Sequence, residues 1–227
     1  MRPTLEQLAT DHPVLWEEFI NVHKYVESDF KGKQVLDIGA NFGFISMLAV
    51  AWGARRVVAV EMDPSNLEQL YKNAAPCPEI MVMPVAAHGF ARHISITMSP
   101  GDMKTNCKVL PATSGIPALP LEDLTNLMDP NDDDMVLKVD VEGAEYDLLL
   151  CAPVQAIRRF SMIMLETHRV PHLNAHKARK AEYLKTYMSY LGYETLNEEP
   201  LMWIGNDGKW DVQEDMIATR LRRVEMP

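Results

Sequence analysis

The strand, turn and helix that begin at Gln34 constrain the fold more than any other feature. The mostly apolar run Gln34–Ile38 carries one acid, Asp37, and leads into the segment Gly39–Gly43, which has a glycine at each end. Glycine lets the backbone turn sharply and approach a ligand closely. Apolar residues then recur at helical spacing over residues 44–52. The pattern predicts a buried strand that passes through a tight turn into a helix.

The same alternation of strand and helix continues along the chain. It indicates an α/β fold in which a mostly parallel sheet carries helices on both faces. An extra strand is predicted at residues 93–98, and residues 100–120 are predicted to run over the surface as an irregular excursion. The main strands are predicted at residues 34–38, 56–60, 79–85, 135–139, 161–165, 193–196 and 216–221, the last two as an antiparallel pair.

The first 32 residues are predicted to form a helical extension ahead of a main domain over residues 33–227. Two short helices are expected over residues 4–30. The second should begin at Asp11 as its N-cap, with Pro13 in its first turn. We interpret the extension as a lid or brace on the main domain, or as a dimer contact in a homo-oligomer.

The net charge argues against several classes of partner. The 227 residues include 32 acidic and 22 basic side chains, for a formal net charge of −10. Such a surface repels phosphate backbones and anionic membranes, so nucleic acid is disfavoured as a partner. A basic cluster over His172–Lys180 either binds an anionic acceptor or forms a solvated helix face. The apolar stretches are too short to span a bilayer and the three cysteines are far apart, so we expect a cytoplasmic protein without membrane insertion.

The glycine turn favours a cofactor that has no phosphate. In sheets of this kind, ligands bind beyond the carboxyl ends of the strands, which is where Gly39 falls. A dinucleotide site requires the spacing G-x-G-x-x-G, but Asn41 occupies the place of the second glycine and Gly43 comes one residue early. Asp37 would repel a phosphate and would suit the ammonium group of S-adenosylmethionine (SAM). The residues predicted to bind SAM here are Asp37, Gly39, Asn41 and Gly43.

The end of the second strand completes the predicted cofactor site. Glu61 follows that strand directly, and a carboxylate in this position can accept hydrogen bonds from both hydroxyls of a ribose. Its neighbour Met62 is expected to flank the adenine ring. The alternative interpretation is an ordinary turn followed by a solvated acid.

Four segments resemble the FkbM family of methyltransferases, in that family's order and approximate spacing. The resemblance covers residues 33–205 and is most specific in the sequence that begins at Asp140. It implies a class I methyltransferase (Rossmann-like) fold with a seven-stranded sheet, SAM as the methyl donor, and a hydroxyl acceptor on a sugar or natural product. The segments are Asp37–Gly43, Leu121–Leu124, Lys138–Glu145 and Leu165–His168.

Two pairs of polar residues at strand ends are predicted to carry the chemistry. Asp140 and Glu142 are two residues apart on an extended segment, so their side chains should point the same way, and Glu166 and His168 repeat that spacing. A hydroxyl acceptor needs a base or a metal ion to remove its proton. We expect Asp140 or His168 to be the base, with Glu142 and Glu166 orienting the acceptor or a divalent ion. The ligands of Mg²⁺, if it binds, would be Asp140, Glu142 and Glu166.

Two other residues of these motifs are expected to have structural roles. Lys138 should pack its stem along the edge of the sheet. Glu145 should be an acid in the first turn of a helix, where it favours the helix dipole.

The leading hypothesis is an O-methyltransferase that uses SAM and acts on a small molecule, a saccharide or a glycoconjugate. One alternative is a non-catalytic module of the same fold that binds the cofactor or a partner. A nucleic-acid methyltransferase is a second alternative, opposed by the net charge. A nicotinamide-dependent dehydrogenase is disfavoured by the missing middle glycine.

Overall fold

The computed structural model describes residues 2–90, 92–98, 107–141, 143–168, 176–204 and 210–224. Its strands form one large sheet and one small sheet. The strands in chain order are β1 (Gln34–Ile38), β2 (Arg56–Val60), β3 (Ile80–Met83), β4 (Ala86–Ala87), β5 (His93–Met98), β6 (Cys107–Ala112), β7 (Ile116–Leu119), β8 (Met135–Val139), β9 (Phe160–His168), β10 (Tyr193–Ile204) and β11 (Trp210–Arg223).

The large sheet has seven strands in the order β10-β11-β9-β8-β1-β2-β3. The strands from β9 through β8, β1 and β2 to β3 pair in parallel, whereas β11 is antiparallel to both β9 and β10. This confirms the predicted α/β fold with its antiparallel pair at one edge. Strands β10 and β11 are, however, much longer than the predicted segments at residues 193–196 and 216–221.

Helices cover both faces of this sheet. Alternate residues of a strand point to opposite faces, so Leu36 of β1 joins one buried cluster while Val35 joins the other. The helices are α1 (Leu5–Asp11), α2 (Pro13–Glu17), α3 (Glu27–Phe30), α4 (Phe44–Ala51), α5 (Pro64–Ala74), α6 (Leu121–Thr125), α7 (Glu145–Leu150), α8 (Val154–Ile157) and α9 (His176–Tyr190), with a π-helical turn over Glu18–Val22.

The segment predicted as a surface excursion over residues 100–120 instead contributes two strands. Strands β6 and β7 join β4 and β5 in a four-stranded sheet with the order β4-β7-β5-β6. The expected extra strand is β5, so that prediction is confirmed. Pro111 lies in β6 at the edge of the small sheet, where a missing N–H is tolerated. A proline-rich composition therefore concealed a short edge strand.

The N-terminal residues pack onto the same face of the large sheet as α4. Leu8, Phe19, Tyr25 and Phe30 are buried in one cluster with residues of α4, β1 and β8. This packing holds the extension against the large sheet, and its role as a lid, a brace or a dimer contact stays a prediction. Among the residues that the structure describes, no helix is long and apolar enough to cross a membrane.

The helix boundaries in this extension differ from the prediction at one point. Asp11 is the last residue of α1 and does not cap the second helix, which begins at Pro13. The side-chain cap belongs to α1 instead, with Thr4 as its N-cap. The Thr4 side chain accepts the Gln7 N–H, and the Gln7 side chain accepts the Thr4 N–H. This reciprocal pair satisfies two amide groups that a helix N-terminus leaves free.

Candidate active site

The candidate site lies where the direction of winding reverses, between β1 and β8. Strand β1 is followed along the chain by β2 on one side, and it pairs with β8 on the other. The Asp140 N–H donates to the Ile38 carbonyl at 3.0 Å, which holds the two strand ends together. Ligands of open α/β sheets bind beyond this point.

The glycine turn is shaped by its protein neighbours. Gly39, Asn41 and Gly43 all have positive φ, of 77°, 53° and 93°. A Cβ atom on Gly39 would lie only 1.7 Å from the carbonyl oxygen of Asp140, and one on Gly43 would lie 2.6 Å from Leu70 Cδ1. Glycine is therefore needed at residue 39 because the backbone after β8 lies so close to it. A ligand that approaches the turn would be a second reason.

The Glu61 carboxylate fastens the glycine turn to the end of β2. Its Oε2 accepts the Asn41 N–H at 2.7 Å, and its Oε1 accepts the N–H groups of Met62 and Asp63 at 2.9 and 2.8 Å. Only 8% of the surface of this residue is exposed. The alternative of a solvated acid is therefore wrong, because this carboxylate organises the turn.

The half-buried Met62 side chain lies between the two sheets. It packs against a small cluster of Ala86, Ile94 and Ala118, which belong to β4, β5 and β7. An apolar surface therefore continues from the end of β2 onto the small sheet. Such a surface is suited to one face of an adenine ring.

A buried ion network lies beneath the turn. Lys138 pairs with Asp37 in the register of β8 against β1, and its Nζ lies 3.7 Å from Asp37 Oδ1 and 3.4 Å from Asp140 Oδ2. Lys138 Nζ also donates to the Gly39 carbonyl at 2.8 Å, and Ser46 Oγ donates to Asp37 Oδ2 at 2.6 Å. Burial alone would lower the pKa of Lys138, but the carboxylates of Asp140 and Asp37 raise it above its ordinary value.

Two expectations change with this network. Lys138 does not lie at the edge of the sheet, because β8 is a central strand and the residue is only 4% exposed. Asp37 is fully buried, and its carboxylate faces Ser46 and Lys138. The Asp37 carboxylate is therefore not presented to solvent. It contacts Lys138, which in turn donates to the Gly39 carbonyl of the glycine turn.

Replacing Lys138 by methionine should lower the free energy of unfolding by about 3 to 5 kcal/mol. The variant leaves two carboxylates close together with their shared cation removed, and breaking a buried ion pair costs this much. The matched control is Lys72→Met, which removes an exposed pair with Glu68 and should cost much less, because solvent screens such a pair. Urea unfolding of both variants measures the difference. Equal losses would contradict the role given to Lys138.

Asp140, Glu166 and His168 converge at the ends of β8 and β9. Their nearest ligand atoms all lie within 4.8 Å of one another. His168 Nε2 is 3.2 Å from Glu166 Oε1 and 3.9 Å from Asp140 Oδ1. The structure thus brings together three of the four predicted catalytic residues, and the fourth, Glu142, lies outside the described residues.

These three groups differ in exposure and in pKa. The Asp140 side chain is 26% exposed, whereas those of Glu166 and His168 are 7% exposed. Burial alone would raise the pKa of Asp140, but Lys138 and His168 lower it below its ordinary value. Burial, and then the charge of Asp140, raises the pKa of Glu166. Burial alone would lower the pKa of His168, but the carboxylates of Glu145 and Glu166 raise it well above its ordinary value.

Glu145 is a site residue that the sequence did not reveal. Its carboxylate is fully buried and accepts the Gly143 N–H at 2.7 Å and the His168 N–H at 2.8 Å. Its Oε1 also lies 3.6 Å from His168 Nδ1. Glu145 is indeed in the first turn of α7, but it fixes the end of β9 and the orientation of His168.

The N-terminal extension also reaches this site. Burial, and then the charges of Glu166 and Asp140, raises the pKa of Tyr25 well above its ordinary value. His23 Nε2 lies 3.7 Å from Glu18 Oε1, and both groups are close to Glu166. Nothing in the sequence pattern of residues 1–32 marked these residues. The predicted basic cluster at His172–Lys180 has no side chain among those that the structure describes.

Comparison with known proteins decides the family. A family model described as the methyltransferase FkbM domain matches residues 37–195 of the 227. The chain belongs to the FkbM methyltransferase family. The match spans the glycine turn, Glu61 and all of the predicted catalytic residues. No curated protein matches the chain significantly.

Solved structures show that this FkbM chain has the fold of class I methyltransferases that use SAM. A protein from Clostridium thermocellum described as an rRNA methylase superposes with a TM-score of 0.55 at 8% identity, with 92% of this chain and 97% of that chain covered. Aeropyrum pernix fibrillarin with natively bound SAM gives 0.50 at 14%, covering 85% and 67%. An FkbM methyltransferase from Methylobacillus flagellatus gives 0.45 at 17%, covering 83% of this chain and 43% of that chain.

Proposed function

We propose that this FkbM chain is an enzyme that transfers the methyl group of SAM to a hydroxyl on a saccharide, a glycoconjugate or a small natural product. The observation that carries the proposal is the convergence of Asp140, Glu166 and His168 beside the glycine turn. The end of the parallel sheet thereby combines the glycine turn, where the cofactor would bind, with side chains that can accept a proton.

The residues around the glycine turn fit SAM. Glu61 is held at the end of β2 by three N–H groups and keeps some exposed surface, where ribose hydroxyls can donate to it. Asp37 Oδ1 is buried and has no hydrogen-bond partner among the described residues, which leaves acceptor capacity under the turn. The site is therefore anionic, which suits a cationic cofactor without phosphate. When bound, SAM supplies a methyl group already activated by its sulfonium.

Asp140 is the base in this proposal. It is the most exposed of the three converging groups, and Lys138 and His168 keep it ionised. The acceptor hydroxyl donates a hydrogen bond to the Asp140 carboxylate. As the hydroxyl oxygen forms its bond to the methyl carbon, the carbon–sulfur bond breaks and Asp140 takes the proton. Glu166 and His168 orient the acceptor and Asp140 from the buried side, and the protein's main contribution is alignment.

Glu61→Gln should weaken binding of SAM and of S-adenosylhomocysteine (SAH) by about 10- to 100-fold, because it removes charge-assisted hydrogen bonds worth about 1.5 to 3 kcal/mol each. The NH₂ group of the glutamine would also face one of the backbone N–H groups that the carboxylate accepts, so that two donors would meet. Glu68→Gln makes the same charge change on the exposed side of α5 and should leave the affinity within about twofold. Isothermal titration calorimetry with SAH measures both. An affinity for Glu61→Gln equal to that of the control would argue against this cofactor contact.

Release of SAH in the presence of an acceptor panel tests the reaction. The panel contains saccharides, glycoconjugates, small hydroxylated molecules and RNA. Turnover with a hydroxylated small molecule or glycan supports the proposal. Binding of SAM without SAH release from any acceptor favours the non-catalytic module. Turnover confined to RNA, with steep salt dependence, favours the nucleic-acid alternative. Assays with and without Mg²⁺ test the ion predicted at Asp140, Glu142 and Glu166.

A further inference from the structure

A second group of metal-ligating side chains lies next to the catalytic one. Glu18 and His23 come from the N-terminal extension, and Glu166 comes from β9. One ligand atom from each lies within 4.8 Å of the other two. The group joins two parts of the chain that are more than 140 residues apart in sequence.

The His23 ring makes this more than a cluster of acids. Its Nε2 is buried and has no hydrogen-bond partner among the described residues, and the whole residue is only 3% exposed. The ring is fixed by contacts with Phe19 and Tyr25, at centroid distances of 4.8 and 5.2 Å. Leaving a buried polar atom without a hydrogen-bond partner is unfavourable. The free nitrogen is held facing two carboxylates, and a cation between them would satisfy all three groups.

We propose that Glu18, His23 and Glu166 bind a divalent transition-metal ion, for which Zn²⁺ is the probe. An imidazole with two carboxylates suits Zn²⁺ and its neighbours, whereas Mg²⁺ prefers oxygen ligands and keeps several waters. The 3.7 Å between His23 Nε2 and Glu18 Oε1 is close to the roughly 3.4 Å edge of a tetrahedral site with ligand bonds of about 2.1 Å. The Glu18 side chain is 23% exposed, so it is free to adjust and a solvent ligand can complete the coordination.

Such an ion would tie the N-terminal extension to the strand that ends in the catalytic residues. Among the described residues, side-chain hydrogen bonds already attach the extension to β10 and β11. Arg220 Nη2 donates to both oxygens of Asp29 at 2.8 and 2.7 Å, and Asn197 Nδ2 donates to the Val22 carbonyl at 3.3 Å. The metal would add an attachment directly at Glu166. Its role is to hold residues 18–25 over the acceptor side of the site.

Zinc affinity of the full chain, stripped with a chelator, tests the assignment. Competition with a chromophoric chelator should show a single Zn²⁺ site in the wild type, and Co²⁺ should give the absorption of a nitrogen- and oxygen-coordinated ion. His23→Gln and Glu18→Gln should each lose at least about 100-fold in affinity, because even residues that only support a metal ligand are worth about 10- to 100-fold. Asp140→Asn, in the neighbouring group, should stay within about threefold of wild type.

Thermal unfolding provides a readout that does not depend on activity. Zn²⁺ should raise the Tm of the wild type and of Asp140→Asn but not that of Glu18→Gln, because a ligand stabilises only a protein that binds it. Glu18 is partly exposed, so this variant keeps the test decisive even if His23→Gln unfolds. The proposal is overturned if the wild type binds no Zn²⁺, if millimolar Mg²⁺ displaces it, if the Glu18 and His23 variants retain affinity, or if Asp140→Asn loses as much as they do.

Discussion

Gly39→Ala should abolish measurable SAH binding and lower the free energy of unfolding by about 2 to 5 kcal/mol. The new Cβ would lie 1.7 Å from the carbonyl oxygen of Asp140, which is backbone and cannot rotate away. The residue also has a φ of 77°, which costs a side chain about 1 to 2 kcal/mol, and forced overpacking adds about 1 to 3 kcal/mol. This clash can be relieved only if the glycine turn moves away from the end of β8, and such a movement would disrupt the cofactor site.

Gly32→Ala is the matched control for this variant. Gly32 has nearly the same φ, 75°, and a Cβ there would meet nothing within 4 Å. It should therefore cost only the conformational strain of about 1 to 2 kcal/mol and leave SAH affinity unchanged. Chemical denaturation and calorimetry on both variants separate the strain from the clash. Similar effects in the two variants would mean that close approach of the two strand ends is not what fixes the turn.

Asp140→Asn should reduce turnover by roughly 100- to 10,000-fold, the usual contribution of a general base, while SAH affinity stays close to that of wild type. The amide cannot accept the proton of the acceptor hydroxyl. It also leaves Lys138 with one fewer counter-ion, so a modest loss of stability is expected. SAH release with an acceptor found in the panel measures the rate, and calorimetry measures the affinity.

The control for this variant is Asp133→Asn, which makes the same change in an exposed loop before β8. Its turnover should match that of wild type. An Asp140→Asn enzyme with undiminished turnover would move the base to another residue. A parallel loss of SAH affinity would mean that Asp140 serves the cofactor instead of the acceptor.

The large sheet could be predicted because its strands leave a strong signal. Runs such as Arg56–Val60 are almost entirely apolar, as parallel strands buried on both faces must be. The antiparallel strands β10 and β11 carry many polar residues, so only part of each was predicted. Of the small sheet only β5 was predicted, because the prolines in β6 and β7 indicate a loop more strongly than a strand.

The charged residues of the site were harder to assign, because their roles depend on neighbours distant in sequence. A lysine such as Lys138 suggests an edge position until the order of strands places it opposite Asp37. Glu145 is buried only because β9 ends against it, where it accepts the His168 N–H. His23 belongs to the site because the N-terminal extension folds across the sheet, a packing that no local pattern encodes.

A crystal structure with SAH bound tests the central claim most directly. We expect the ribose hydroxyls at Glu61, the adenine against Met62, and the sulfur over the glycine turn with its open side toward Asp140. A nucleoside bound elsewhere on the chain, or a sulfur that faces away from Asp140 and His168, would contradict the account.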